Sequence, residues 1–187
     1  MVAEIRFYFE GAPVLKEGFD AFLDEIKHQA REKKWQFRLI AAKGRPVDAF
    51  ETARKAHPSA WNVLLLDSDK PDDGRLCEDR GLDKAVCDSV FWMVEIMEAW
   101  FLADPDALRG FYGQHFQQTA VQCNPDVEQV PKRDVYDKLM AATRNTDHRY
   151  DKTADAPELL RLINPAKVRG RSRNCERMFR SLLARLA

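Results

Sequence analysis

Two rhythms of apolar and polar positions run along the first half of the chain. Val2 to Phe9 is rich in β-branched and aromatic residues and reads as a strand, broken by Gly11 and Pro13. From Val14 to Trp35 the apolar positions Leu15, Phe19, Phe22, Leu23 and Ile26 recur at helical spacing. Gln36 to Ala42 returns to a strand pattern and stops at Gly44, and Val47 to Ala56 reads as a second helix closed by Pro58. Trp61 to Leu66 is a continuous apolar run, the pattern of a strand covered on both faces. Strand, helix, strand, helix, strand implies an α/β fold with a mostly parallel sheet, right-handed crossovers and flanking helices.

The pattern changes after Asp67. Asp67 to Gly81 is acidic and carries Pro71 and Gly74, so it reads as a loop at the end of the third strand. Val90 to Ala103 is strongly apolar with Glu95 and Glu98 set inside it; its first residues suit a fourth strand and the part from Glu95 a helix. Helices are expected at Asp106 to Tyr112, Arg133 to Thr143, Pro157 to Leu162 and Ser172 to Leu186, punctuated by Pro105, Pro125, Pro131 and Pro165. The expected organisation is an α/β core over 1–104 and a helical C-terminal extension over 105–187 packed on it.

Composition narrows the class. The chain has 187 residues, 45% of them hydrophobic, enough for a normal core. Lys+Arg and Asp+Glu both number 30, so a globally basic nucleic-acid binder is not indicated. Cys77, Cys87, Cys123 and Cys175 are scattered and form no Cys-x-x-Cys pair, which argues against a zinc ribbon and is read as unpaired thiols in a reducing cytoplasm. The N-terminus lacks the shape of a signal peptide, and no apolar run approaches the roughly 20 residues of a membrane helix. The expectation is a cytoplasmic protein without a membrane partner.

Three acidic residues then stand out. Glu10 follows the first strand, and Asp67 and Asp69 end the third. Residues two apart on a strand share a face, so Asp67 and Asp69 converge if the extended backbone continues. In an open parallel sheet the binding crevice lies beyond the carboxyl ends of the strands. If the first and third strands are neighbours, all three carboxylates meet there. Gathered carboxylates repel one another and lose hydration, and a hard divalent cation such as Mg²⁺ or Mn²⁺ between them relieves both costs. Such an ion polarises a phosphodiester and stabilises the leaving oxygen. Gly11 lets a phosphate approach the backbone.

Other uses of the pattern compete. A solvated loop acid or a helix cap is the ordinary fate of each residue alone. An EF-hand wants Gly at its sixth loop position, where this chain has Asp72, and the fifth is Pro71. A haloacid-dehalogenase phosphatase places its Asp-x-Asp on the first strand, and here Pro71 follows. A nucleotide-sugar transferase with Asp-x-Asp is longer than this chain. Neither of the last two accounts for Glu10.

Phe9-Glu10-Gly11 and Leu64-Leu65-Leu66-Asp67-Ser68-Asp69 resemble the two motifs of the Toprim fold, shared by type IA and II topoisomerases, bacterial primases, recombination-repair proteins and OLD-type nucleases. The stretch Phe91 to Asp104, with its Met97-Glu98-Ala99-Trp100-Phe101-Leu102-Ala103-Asp104 core, and Tyr150-Asp151-Lys152-Thr153 are similar to the bacterial Toprim-like family labelled domain of unknown function 4276, over nearly the whole chain. The resemblance implies a Mg²⁺-dependent nuclease of DNA or RNA, with Glu10 as acid/base and Asp67 and Asp69 as metal ligands. It also implies an ABC-type ATPase partner, with this chain the effector of a bacterial anti-phage module. Ala12, Pro13 and Val14 depart from the small polar and acidic residues that many Toprim sequences carry after Glu-Gly.

Further residues join the candidate site with ordinary readings beside them. Glu98, in an apolar segment, is either a fourth metal ligand or the buried partner of a Lys or Arg. Asp104 before Pro105 reads as a helix cap. Arg45, Lys132 and Lys152 are candidates for holding phosphate, against plain surface solvation. Arg173 and Arg177, in a locally basic C-terminal helix, are candidates for a nucleic-acid backbone, against a solvated helix face. The four histidines show no ligand spacing, and no tyrosine is marked as a topoisomerase nucleophile. The alternatives are a non-catalytic regulatory or scaffolding partner of an ATPase and a small-molecule phosphatase. The sequence leaves room for a homo-oligomer.

Overall fold

The computed structural model describes residues 3–187; Val2, included in the first expected strand, lies outside the described residues. The strands are β1 (Glu4–Glu10), β2 (Gln36–Ala42), β3 (Trp61–Asp67) and β4 (Val90–Met93). They form one sheet in the order β2-β1-β3-β4, and every neighbouring pair is parallel. This is the α/β architecture expected from the alternation of patterns.

Period-two alternation puts successive residues of β3 on opposite faces. Val63 and Leu65 join one core with Phe7, Phe9 and Phe91. Leu64 and Leu66 join a second core with Tyr8, Phe50 and Trp92. Both faces are therefore covered, which explains the unbroken apolar run. α1 (Lys16–Phe22) and α2 (Asp24–Glu32) cover the first face and α3 (Pro46–Ala56) the second.

The expected single helix over 14–35 is two helices after a 3-10 turn at Pro13–Leu15: Leu23, at φ −97° and ψ 16°, leaves helical geometry and separates α1 from α2. Between β3 and β4 the expected loop contains a short helix, α4 (Leu76–Asp79), and a disulfide joins Cys77 to Cys87. That bond corrects the reading of all four thiols as unpaired; Cys123 and Cys175 are free. The helix expected from Glu95 is a 3-10 segment, Met97–Ala103. Glu95 at φ 55° and Ile96 at φ −151° break the chain out of any helix that could start earlier.

The remainder is helical: α5 (Pro105–Tyr112), α6 (Lys132–Ala142), α7 (Lys152–Leu162), α8 (Pro165–Arg169) and α9 (Arg173–Leu186). Asp104 caps α5, accepting from Ala107 N at 3.3 Å, and Ser172 caps α9, accepting from Cys175 N at 3.1 Å. α9 buries Cys175, Met178, Phe179 and Leu182, one side of an amphipathic helix. Phe179 meets Phe22 edge-on at 5.7 Å, and Phe22 stacks on Trp100 at 4.9 Å, so early and late segments share one core. α7 crosses α1 at Gly18, where a β-carbon would fall 2.8 Å from Pro157 O; only glycine permits this approach. That crossing brings the first turn of α7 to the carboxyl edge of the sheet. Among the described residues no helix is long and apolar enough to cross a membrane.

Candidate functional site

The strand order reverses direction between β1 and β3: β2 lies outside β1, and β4 lies outside β3. A crevice opens beyond the strand ends at such a switch point. Glu10 closes β1 and Asp67 closes β3, and both line a cavity of about 340 Å³ there. Asp67 N donates to Glu10 Oε2 at 3.1 Å, and Asp67 Oδ1 accepts from Met97 N at 2.9 Å. The second bond ties the strand end to the 3-10 segment and brings the next residue, Glu98, into the same wall.

Glu98 is 0% exposed. Lys152, the first residue of α7, reaches Glu98 Oε1 at 2.9 Å and the Tyr136 hydroxyl at 3.1 Å. Beyond this ion pair, neither Glu98 oxygen accepts a hydrogen bond. The Tyr150 hydroxyl, also buried and near enough to feel the Glu98 charge, has no partner either. Glu98 is therefore the buried partner of a lysine, and it lines the cavity with Glu10 and Asp67.

Three carboxylates line the cavity with one lysine, Lys152, while Arg80 and Lys132 act on Glu10 from outside the lining. Burial, then the Glu98 and Glu10 charges, push the Asp67 carboxyl up to about 8, against the pull of Lys152 and the Met97 N–H. Burial also raises Glu10, offset by the Asp67 N–H and by Arg80. At Lys152 burial works against the charge, but Glu98 and Tyr136 outweigh it and hold the ammonium above its ordinary range.

Asp69 is placed differently. The extended run ends at Asp67, and Asp69 turns to φ 58°, a conformation that Asp tolerates better than most residues. Its carboxylate accepts from Arg80 Nη2 at 2.8 Å and pairs with Lys132 Nζ at 3.2 Å, and it does not line the cavity. Burial alone would raise it, but the Arg80 and Lys132 bonds hold it below the ordinary carboxylate range. Arg80 also donates to Asp67 O at 2.9 Å. It lies within the ring of chain closed by Cys77 and Cys87.

Of the remaining candidates, Lys152 is at the cavity and Lys132 is beside it on Asp69. Arg45 is exposed and pairs with Asp48 at 2.5 Å, away from the cavity lining. Arg173 and Arg177 line a separate basic groove on α9 together with Arg180. Arg177 donates to Val90 O at 2.7 Å and lies 4.6 Å over the Phe91 ring. Arg80 carried no sequence signal as a lone loop arginine. The aliphatic side of the cavity, with Val14, Leu15, Met97, Ala156 and Pro157, also went unread, because its residues come from three distant segments.

The donor chemistry fits a hard divalent cation. Glu10, Asp67 and Glu98 offer only oxygens, Glu98 has no polar partner besides Lys152, and the raised Asp67 carboxyl marks uncompensated acid. As the side chains stand, no group of three His, Cys, Asp or Glu residues among the described residues encloses a common metal position.

A family described as "Domain of unknown function (DUF4276)" matches residues 12–183. No curated protein matches the chain. Among solved structures, the "C-terminal region of the Burkholderia pseudomallei OLD protein" is similar at a TM-score of 0.49 and 11% sequence identity, over 97% of this chain and 98% of that one.

Proposed function

The chain belongs to the DUF4276 family, and from that premise we propose that it is a metal-dependent phosphodiesterase acting on nucleic acid, of the Toprim nuclease type. The observation that carries the reading is the meeting of Glu10, Asp67 and Glu98 at the β1/β3 switch point with a single lysine against them. Mg²⁺ or Mn²⁺ held by these three residues would polarise the scissile phosphate and lower the pKa of an attacking water. Glu10, whose carboxyl burial raises above its ordinary value, suits taking and returning a proton. Asp67 must lose its proton to bind the cation, so binding is tighter above pH 8 than below it. Lys152, once released from Glu98, is placed to hold a non-bridging phosphate oxygen. Asp69, held at the rim by Lys132 and Arg80, would be a further metal ligand only on leaving those two cations. The basic groove of α9, with Arg173 and Arg177, offers a path for the flanking backbone. An ABC-type ATPase, as the resemblance implies, would make the chain an effector subunit in anti-phage defence.

The test is hydrolysis of plasmid, single-stranded DNA and tRNA with Mg²⁺ or Mn²⁺, with and without the ATPase. Glu10→Ala and Asp67→Ala are expected to lower cleavage by about 10²-fold or more with unchanged circular dichroism. Full activity in either variant overturns the assignment. A second reading, a non-catalytic partner of the ATPase, draws on the Lys152–Glu98 pair, which already neutralises one of the three carboxylates. It is favoured if a tight ATPase complex forms and no substrate is cut.

A further inference from the structure

The aliphatic side of the cavity has no task in metal-assisted hydrolysis. Besides the carboxylates, the lining includes Val14, Leu15, Met97 and Pro157, with Ala12 and Ala156. Val14 is 56% exposed, the largest value among the exposed large hydrophobic residues described. It sits in the Ala12-Pro13-Val14 segment, which departs from the small polar and acidic residues that many Toprim sequences carry there. A valine left in water at the mouth of an acidic cavity is a surface that a ligand can cover.

The lining thus combines three carboxylates and Lys152 with a set of aliphatic side chains. A ligand that fills it needs a group for the carboxylates, by way of a cation, and a compact apolar body beside that group. One nucleotide has both: a phosphate and, next to it, a flat base and sugar. The volume, about 340 Å³, is at the small end of the roughly 300–1,000 Å³ of organic-ligand pockets. It takes one base and not a base pair. A base can enter only after leaving its partner, and that costs least in a strand that is already unpaired.

We infer that the cavity is a pocket for one unpaired nucleotide, with the base and sugar of the residue next to the scissile phosphate packed on Val14, Leu15, Met97 and Pro157. This rests on the phosphodiesterase reading and adds to it the substrate class: single strands and overhangs in preference to blunt duplex or a tightly closed hairpin. Aliphatic packing reads no base edge, so the pocket carries little base preference.

The experiment is fluorescence anisotropy with Ca²⁺ in place of Mg²⁺, using a labelled 12-nucleotide single strand and a blunt hairpin with a tight loop. The single strand is expected to bind more tightly. Val14→Asp, at an exposed position, is expected to weaken single-strand binding by about tenfold, as loss of a covered valine and gain of a charge require, and to leave the hairpin unchanged. Val14→Leu should bind as the parent does. Equal binding of both ligands, or a single-strand affinity that ignores Val14→Asp, overturns the pocket. Cleavage with Mg²⁺ separates the two readings. Single-strand preference with Val14 dependence but no hydrolysis keeps the pocket and removes the enzyme, whereas equal hydrolysis of hairpin and single strand, indifferent to Val14→Asp, keeps the enzyme and removes the pocket.

Discussion

Asp67 and Asp69 are two residues apart, and their surroundings treat negative charge in opposite ways. Asp67 is buried in a cavity wall beside the Glu98 and Glu10 charges, and its carboxyl rises to about 8. Asp69 stands at the rim between Arg80 and Lys132, and its carboxyl is held low. The difference is one of backbone. The sheet carries Asp67 into the crevice, and the left-handed turn at Asp69 swings the next carboxylate toward two cations. Acidity in sequence therefore says little about readiness for a metal. What counts is whether the fold has already supplied the counter-charge.

The contrast can be broken most strongly from the cavity side. Lys152→Ala leaves Glu98 buried without its cation. Because Lys152 is itself 55% exposed in its side chain, the expected loss is about 2 kcal/mol, below the roughly 3–5 kcal/mol of a pair buried on both sides. Urea unfolding of the metal-free protein measures it, and adding Glu98→Leu to the variant should recover most of the loss. A Lys152→Ala protein as stable as the parent would mean that Glu98 is not electrostatically isolated.

A smaller effect follows at Asp67, with a definite sign. Its folded-state value of about 8 lies above the ordinary 3.8, so the native protein keeps a proton that the unfolded chain gives up. Native stability thus falls as pH rises from about 4 to about 8. Asn cannot ionise, and its amide oxygen can still accept from Met97 N. Asp67→Asn is expected to stabilise the metal-free protein by on the order of 1–2 kcal/mol at pH 8.5 and by nearly nothing at pH 4. The urea midpoints of parent and variant across that range check this; a constant difference would place the charge conflict elsewhere.

The smallest effect belongs to the rim. Arg80→Ala removes one exposed ion pair of Asp69 and should change stability by less than about 1 kcal/mol. Its clearer signature is the Asp69 carboxyl, which should move up toward its ordinary value in an NMR titration. If it stays low, Lys132 alone sets it and the two-cation description of the rim fails.

Much of the frame was legible before any coordinates. β2 spans Gln36–Ala42 as its pattern predicts, and the apolar run of β3 told of cover on both faces. That Glu10 and Asp67 would share an edge followed from parallel strands with acids at matching ends, given that β1 and β3 pair. What escaped depended on contacts distant in sequence or on single backbone angles. Nothing local marks Leu23 as a helix break or Glu95 and Asp69 as left-handed. The apolar segment 97–103 has the composition of a helix, yet it is a 3-10 segment whose first residue is tied to Asp67 through Met97 N. Glu98 was recognised as costly to bury, but Lys152 as its partner, 54 residues later in the chain, needed the crossing of α1 and α7 at Gly18. The pairing of Cys77 with Cys87 had no motif to announce it.

That disulfide makes the segment around Arg80 a ring rather than an open loop. A peptide bond cut between the two cysteines would not set the arginine free. Both new ends would stay leashed to the same sulfur bridge, one through α4 and the other through the approach to β4, and the guanidinium would remain within reach of Asp69. The rim is thus built to survive a nick as an open loop could not, and its hold on Asp69 depends on the bridge more than on continuity of the backbone.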